Sequence, residues 1–388
     1  MKRRRATTAV ALVLAAVTLA SVAVAADQST VQQPANATVA AGRVNHQPRT
    51  FSVLFAGDIL TEDRVLRVGA AAALPGQSYD FAPMFAPVSN IIRSADLAVC
   101  HMELPISGPG QRSGYAGGRS PFGGNLLSAP YEMASSVRRT GFDRCSTASN
   151  HSNDLGIAGI DSTLTALDDA GVSHVGTARQ IAEADPQVFT VNGVALAHLA
   201  YTRYSNTVPQ RDPWRVAFAA TPGQVAADVN AARAAGAEVV IVSLHLSQEM
   251  QTGPTSDDRS FVTQLVHMAH VDMVVHHGPH VSQPMEIVNG TPIWWSVGNF
   301  VSAMGTAGRG RYTDPRSRDG LFATARFTER SDGSFAVQPW TVLVCNEAVD
   351  RTVRAPFQEL ADPSLPPWLR AEMQACVDRT VRVFSDIH

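Results

Sequence analysis

Apolar positions along this chain follow two alternating rhythms. Compact, β-branched runs at 51–55, 97–100, 142–147, 239–244 and 271–275 have the length and composition of buried strands. Between them lie amphipathic stretches with helical spacing, at 85–94, 132–140, 157–170, 222–235 and 257–269. Gly141, Gly171 and Gly236 stand where helix C-caps belong. Repeated strand–helix alternation predicts a largely parallel sheet covered by helices. The rhythm breaks at 107–130 and 305–320, two loops rich in Gly with Ser, Arg, Asp and Pro. Beyond them, 321–327 and 335–344 alternate like a pair of antiparallel strands, and 366–384 reads as a terminal amphipathic helix.

The N-terminus departs from both rhythms. Lys2, Arg3, Arg4 and Arg5 precede an uncharged apolar stretch at 9–22, and Ala23-Val24-Ala25 offers small residues for cleavage. This pattern predicts an export signal over 1–26, followed by a polar linker over 27–49. An uncleaved membrane anchor is the alternative, since the stretch approaches the roughly 18 residues that suggest a span. Either way the folded part is expected outside the cytoplasm, as a main domain over 50–345 and a C-terminal extension over 346–388.

Composition narrows the picture further. Of 388 residues, 45% are hydrophobic and 17% charged, which suits a large globular core. A net charge of −3, with no basic stripe beyond the extreme N-terminus, argues against a nucleic-acid partner. The four cysteines permit disulfides in an exported protein. Cys100 and Cys145, near predicted core strands, read as buried free thiols, whereas Cys345 and Cys376 could tie the terminal helix to the last strand; at most that one bridge is expected.

Candidate chemistry gathers where the strand runs end. Asp58 follows the first run and Gly57, Glu103 the second, Asn150-His151 with Asp154 the third, His245 the fourth, and His277-Gly278-Pro279-His280 the fifth. Each has an ordinary explanation alone. Asp58 could cap a helix starting near Thr61, Asn150 or Asn153 could cap another with His151 exposed, and His245 could be a satisfied edge-of-core residue. A carboxylate at the Glu103 position is costly to bury unless a cation or donors meet it. Three imidazoles within His276, His277 and His280 would otherwise form a surface cluster. Parallel sheets bring strand C-termini to one edge, so these groups are expected to converge there. Mixed carboxylate, amide and imidazole donors suit two divalent ions, with Mn²⁺, Zn²⁺ and Fe²⁺ all compatible.

In order and spacing, these elements resemble the bacterial capsule-synthesis CapA family, also called the poly-γ-glutamate capsule family. The resemblance rests on Ala56-Gly57-Asp58, Met102-Glu103-Leu104-Pro105, Asn150-His151 with Asp154-Leu155-Gly156, His245 with Glu249, His277-Gly278-Pro279-His280 and Trp295-Ser296-Val297-Gly298-Asn299-Phe300. It spans 52–303. By that resemblance the fold is a four-layer α/β/β/α metallophosphatase-like sandwich with an antiparallel β extension and a C-terminal helix. Asp58, Glu103 and His280 would hold one ion. Glu103, bridging, would hold the other with Asn150, His245 and His277. His151 would face the scissile group, steadied by Asp154, and 296–299 would form a structural turn under the site. The chain departs from the family in having His101 in place of Asn, Ser149 in place of Asn, and His276 in place of Gly. The block after His245 also lacks the family's Trp-Gly and final Tyr.

The expectation is an exported metal-dependent hydrolase acting on an envelope or capsular polymer, with a membrane-bound capsule synthase as a candidate partner. Two alternatives stay open: a non-catalytic assembly or export component that binds acidic polymer or the synthase, and a metal-dependent amide-bond hydrolase or transferase.

Overall fold

The computed structural model describes residues 47–381 apart from 123, 209–210, 247 and 307–310. The expected export signal and all but the last three residues of the polar linker lie outside the described residues. Strands β1 (Thr50–Ile59), β2 (Leu97–His101), β3 (Gly114–Arg119), β4 (Asn125–Ser128), β5 (Arg144–Ser146) and β6 (Ser173–Val175) occupy the first half. β7 (Val188–Val191), β8 (Val194–Thr202), β9 (Val239–His245), β10 (Met273–His277), β11 (Ser282–Val288) and β12 (Thr291–Val297) follow. β13 (Asn299–Val301), β14 (Asp319–Glu329), β15 (Phe335–Asn346) and β16 (Val353–Arg354) complete the set.

Two sheets dominate. The first runs β16-β15-β14-β1-β2-β5-β6, with β13 also paired to β1, and the second runs β11-β12-β10-β9-β8-β7. β1, β2, β5 and β6 are parallel neighbours, as are β8, β9, β10 and β12. Strands β14 and β15 add an antiparallel extension to the first sheet.

Side-chain alternation assigns each strand face to a layer. On β1, Phe51, Val53 and Phe55 enter the core between the sheets, while Leu54 and Ala56 pack beneath helices Asp63–Ala71 and Glu132–Thr140. On β9, Val239 and Ile241 face the other sheet; Val240, Val242 and Leu244 pack against helices Pro222–Ala234 and Ser256–Met268. Three apolar clusters therefore separate helices, sheet, sheet and helices: the expected four-layer sandwich. The terminal helix Pro367–Val381 inserts Leu369, Met373 and Cys376 into the inter-sheet core. No helix among the described residues is long and apolar enough to cross a membrane.

Two sequence expectations change. Cys100 and Cys145 are not free thiols but a disulfide, because β2 and β5 are parallel neighbours that place the two residues opposite each other, Cα atoms 4.5 Å apart. Cys345 and Cys376 form the second bridge, joining β15 to the terminal helix. The Gly-rich segment expected as loop at 107–130 contains the β3–β4 hairpin, where Gly and Ser residues leave no apolar period to read.

Candidate metal centre

The same alternation decides which strand-end residues meet. Along β2, Leu97 and Val99 face the second sheet, so His101 does too; along β9 and β10 the parity carries His245 and His277 to that side. His276 has the opposite parity. It packs edge-on against Trp295, which belongs to the outer apolar layer, and so points away from the centre. Asp58 would lose its place by simple alternation. A register shift between Phe55 and Asp58 corrects this, setting Asp58 opposite His101 on one side and Asn299 on the other. The close approach at this shift needs Gly57, since a Cβ there would meet the Gly298 carbonyl oxygen at 2.1 Å.

Asp58 is the hub. Its Oδ2 lies 3.1 Å from His280 Nδ1 and accepts a 3.2 Å hydrogen bond from the Gly278 amide, while Oδ1 is 3.4 Å from His277 Nδ1. Glu103 Oε1 is 3.8 Å from His280 Nε2. One donor atom each from Asp58, Glu103 and His280 falls within a mutual 4.8 Å, as does one each from Asp58, His101 and His277. His245 joins the second group through a 3.0 Å contact between its Nδ1 and His101 Nε2. Asn150 belongs to neither tight group. Its amide nitrogen is 3.3 Å from Asn206 Oδ1, while its own Oδ1 is buried without a hydrogen-bond partner.

Such unpartnered atoms are concentrated here. Both Glu103 oxygens and both His277 ring nitrogens are buried without hydrogen bonds, as is Asp58 Oδ1. Native proteins seldom leave such groups orphaned, because each costs about 1–3 kcal/mol or more when charged. Cations among them would answer the carboxylate oxygens and one of the two His277 nitrogens. Carboxylate, amide and imidazole donors fit divalent ions.

The electrostatics are divided. Burial alone would raise the Asp58 carboxyl, yet His277 and His280 hold it well below the usual carboxylate range. Burial raises Glu103 well above that range, with Asp58, Glu249 and Glu62 adding repulsion against the attraction of His280. Burial also opposes an imidazolium at His280, but Glu103 and Asp58 push it up to about 10. His245, chiefly through burial, falls to about 3 and stays neutral. Burial likewise keeps His101 neutral, so the site sets two buried carboxylates beside two neutral imidazoles.

Beside the cluster opens a cleft of about 640 Å³, reached by Asn150, His151, His280, Glu62, Asn206 and Arg119. His151 Nδ1 is 2.5 Å from Asp154 Oδ2, which also accepts the Leu127 amide at 2.8 Å. That pairing fixes Nδ1 as the protonated nitrogen facing Asp154. Asn206 and Glu62 escaped sequence reasoning, and Asn299 has a role beyond the one expected. Asn206, just after β8, places its amide nitrogen 3.2 Å from each ring nitrogen of His151 and accepts from Asn150. Nothing in its polar loop signals this. Asn299 holds His280 through a 2.9 Å contact to Nδ1, an orienting role inside the block expected to be a structural turn. Glu62 reaches the cleft from the start of the first helix, its carboxylate accepting the Ala303 amide.

The chain is similar to known proteins over most of this domain. Residues 52–304 match the family described as bacterial capsule synthesis protein PGA_cap. A PGA biosynthesis protein CapA of Bacillus subtilis (strain 168) is 27% identical over 301 residues, covering 74% of this chain and 71% of the relative. A capsule biosynthesis protein CapA of Bacillus anthracis is 27% identical over 186 residues, covering 46% of this chain and 44% of the relative. Among solved structures, a calcineurin-like phosphoesterase, YfkN from Bacillus subtilis, aligns with a TM-score of 0.46 and 12% identity, over 87% of this chain and 100% of that one. A 5′-nucleotidase precursor from Thermus thermophilus aligns with a TM-score of 0.42 and 14% identity, over 87% and 60%. With its match extending over more than half of its length, the chain belongs to the bacterial capsule synthesis protein family PGA_cap.

Proposed function

We propose that this protein is an exported, metal-dependent hydrolase that works on a phosphoester or related bond in the assembly of a capsular or envelope polymer. The observation that carries the reading is the rim where Asp58, Glu103, His277 and His280 meet with buried, unsatisfied donor atoms. Asp58, Glu103 and His280 would hold one divalent ion; Glu103, Asn150, His245 and His277 would hold a second. Mn²⁺, Zn²⁺ and Fe²⁺ each suit this donor set. When bound, such ions polarise a substrate oxygen and lower the pKa of water.

The chain's own residues supply the rest. His151 lines the cleft next to Asn150, so its imidazolium form would give the Nε2 proton to a departing oxygen and keep the Nδ1 proton hydrogen-bonded to Asp154. When that ring is neutral, the Asn206 amide donates to its Nε2 lone pair. Two disulfides favour an oxidising compartment and thereby export. Membership of a capsule-synthesis family supports a role in assembling an envelope polymer.

Metal analysis of the purified full chain, with turnover of an aryl phosphodiester and monoester, tests the reading. About two divalent ions per chain and turnover lost in Asn150→Ala and His245→Ala are expected. Two ions without turnover on any phosphoester would remove the phosphoesterase assignment, and a protein that binds no divalent ion would end the metal-dependent reading altogether.

A further inference from the structure

We infer that His101 is itself a metal ligand, which makes one position of the centre richer in nitrogen than the family pattern implies. The inference rests on the two-ion reading above and adds a fourth imidazole to it. His101 ends β2 directly opposite Asp58, is buried and faces the second sheet. Its Nδ1 lies 2.7 Å from Ser146 Oγ, and that hydroxyl donates onward to the Cys100 carbonyl at 3.4 Å. When the hydroxyl gives its proton to the carbonyl, the imidazole donates from Nδ1. The lone pair is then left on Nε2, aimed into the cluster. An orienting hydrogen bond on the far nitrogen is the usual setting of a ligating imidazole.

The surroundings of Nε2 agree. His245 Nδ1 is 3.0 Å away, which puts both nitrogens within reach of one ion at bonds of about 2.1 Å. The ring also stacks on His277, centroids 4.0 Å apart, and shares with Asp58 and His277 a set of donor atoms within 4.8 Å. The competing role is a prop: His245 donates Nδ1–H to His101 and ligates through Nε2 alone. The two roles differ in one countable quantity, the number of imidazoles on metal.

A ligating His101 would give one ion His101, His245 and His277 beside Asn150 and the bridging Glu103, while Asp58, Glu103 and His280 would give the other a mainly oxygen environment. Imidazole-rich positions favour Zn²⁺, Fe²⁺ or Co²⁺ over Mg²⁺. The two positions should therefore fill with different preferences.

X-ray absorption of the Zn²⁺-loaded full chain counts the imidazoles, and calorimetry with Co²⁺ measures each binding step. The expected result is four imidazoles over two ions in the wild type and three in His101→Asn, with at least ~10-fold weaker binding of one ion and little change in the other. Ser146→Ala should keep four imidazoles yet weaken the same ion, on the order of 10-fold, because only the orienting bond is lost. Circular dichroism verifies that the variants fold; if His101→Asn does not, the wild-type count alone decides. Two ions with three imidazoles in the wild type, or a count unchanged in His101→Asn, would make His101 a prop and overturn the inference while leaving the two-ion reading intact. A wild type that binds no metal removes both.

Discussion

Replacing Glu103 by Gln should stabilise the metal-free protein and destabilise the metal-loaded one, a reversal that few structural side chains would produce. Both carboxylate oxygens are buried without hydrogen bonds, and the nearest countercharge, His280 Nε2, lies 3.8 Å away. At an effective dielectric of ~20, attraction across that distance is worth about 4 kcal/mol. Desolvation of a buried carboxylate costs several kcal/mol, and Asp58, Glu249 and Glu62 repel it as well. The sum is unfavourable, since the Glu103 carboxyl titrates well above its ordinary value of 4.5. A folded pKa above the unfolded one means that the folded state holds the proton longer. The stability Glu103 contributes is complete below about pH 4 and is lost as pH rises through its folded value.

The isosteric amide removes that loss. In chelator-treated protein, Glu103→Gln should match the wild type near pH 4 and exceed it by about 1–3 kcal/mol at pH 8, a rise of a few degrees in Tm. Saturating Zn²⁺ or Mn²⁺ at about 100 times Kd should then raise the wild type by about 3 kcal/mol per ion, and the variant by far less. Differential scanning calorimetry at pH 4 and pH 8, with and without metal, reads all the required values. A variant less stable than the wild type in chelator at pH 8 would refute the electrostatic reasoning. An undiminished metal increment in the variant would refute the bridging role instead.

Other predictions touch different parts of the centre. His151→Asn should keep both ions yet lower kcat by ~10²–10⁴-fold on a phosphodiester with an alkyl leaving group, and much less with nitrophenolate, which needs no proton; equal losses on both substrates would rule out proton donation. Asp154→Asn should reproduce the pattern more weakly, because Asp154 acts through His151. Gly278→Ala places a Cβ 1.8 Å from the Leu246 carbonyl oxygen at a φ of +99°, so a loss of more than about 2 kcal/mol in urea unfolding is expected, with weakened metal binding. Opening the Cys345–Cys376 bridge, which closes a loop of 31 residues, should cost about 3–4 kcal/mol by loop entropy, and limited proteolysis should then release the terminal helix first.

The strand cores were legible in the sequence because each apolar run obeys a simple period and ends in a polar group. Hence Asp58, Glu103, His245 and His277 could be expected on one rim from the sequence alone. What stayed hidden depends on register, which no single strand carries. The Cys100–Cys145 bridge exists because β2 and β5 are neighbours with those residues level, although 45 positions separate them in sequence. Asn206 reaches His151 only because β8, in the second sheet, ends across the cleft from the 149–154 turn. His276 and His277 look equivalent in the sequence, yet opposite faces of β10 send one to Trp295 and the other to Asp58. A histidine cluster therefore reveals which rings face the centre only when strand parity is known.

The centre is assembled where the backbone stops being regular. Continued alternation along β1 would set Asp58 on the wrong face; the register shift before it, made possible by the Gly57–Gly298 approach, turns it inward. Gly278 has a φ of +99°, and His280, a non-glycine residue, has a φ of +59°. A side chain in that region costs on the order of 1 kcal/mol or more and persists only when its surroundings hold it. At His280 the restraint is visible: Asn299 meets Nδ1 at 2.9 Å and donates to the His280 carbonyl at 3.4 Å, while Asp58 Oδ2 approaches the same ring nitrogen at 3.1 Å. Strain, unpaired charge and orphaned lone pairs thus fall on the same few residues. Such a cluster lowers the stability of the bare fold and would be relieved together by cations, so metal affinity and the stability of the metal-free fold should trade against each other at this rim.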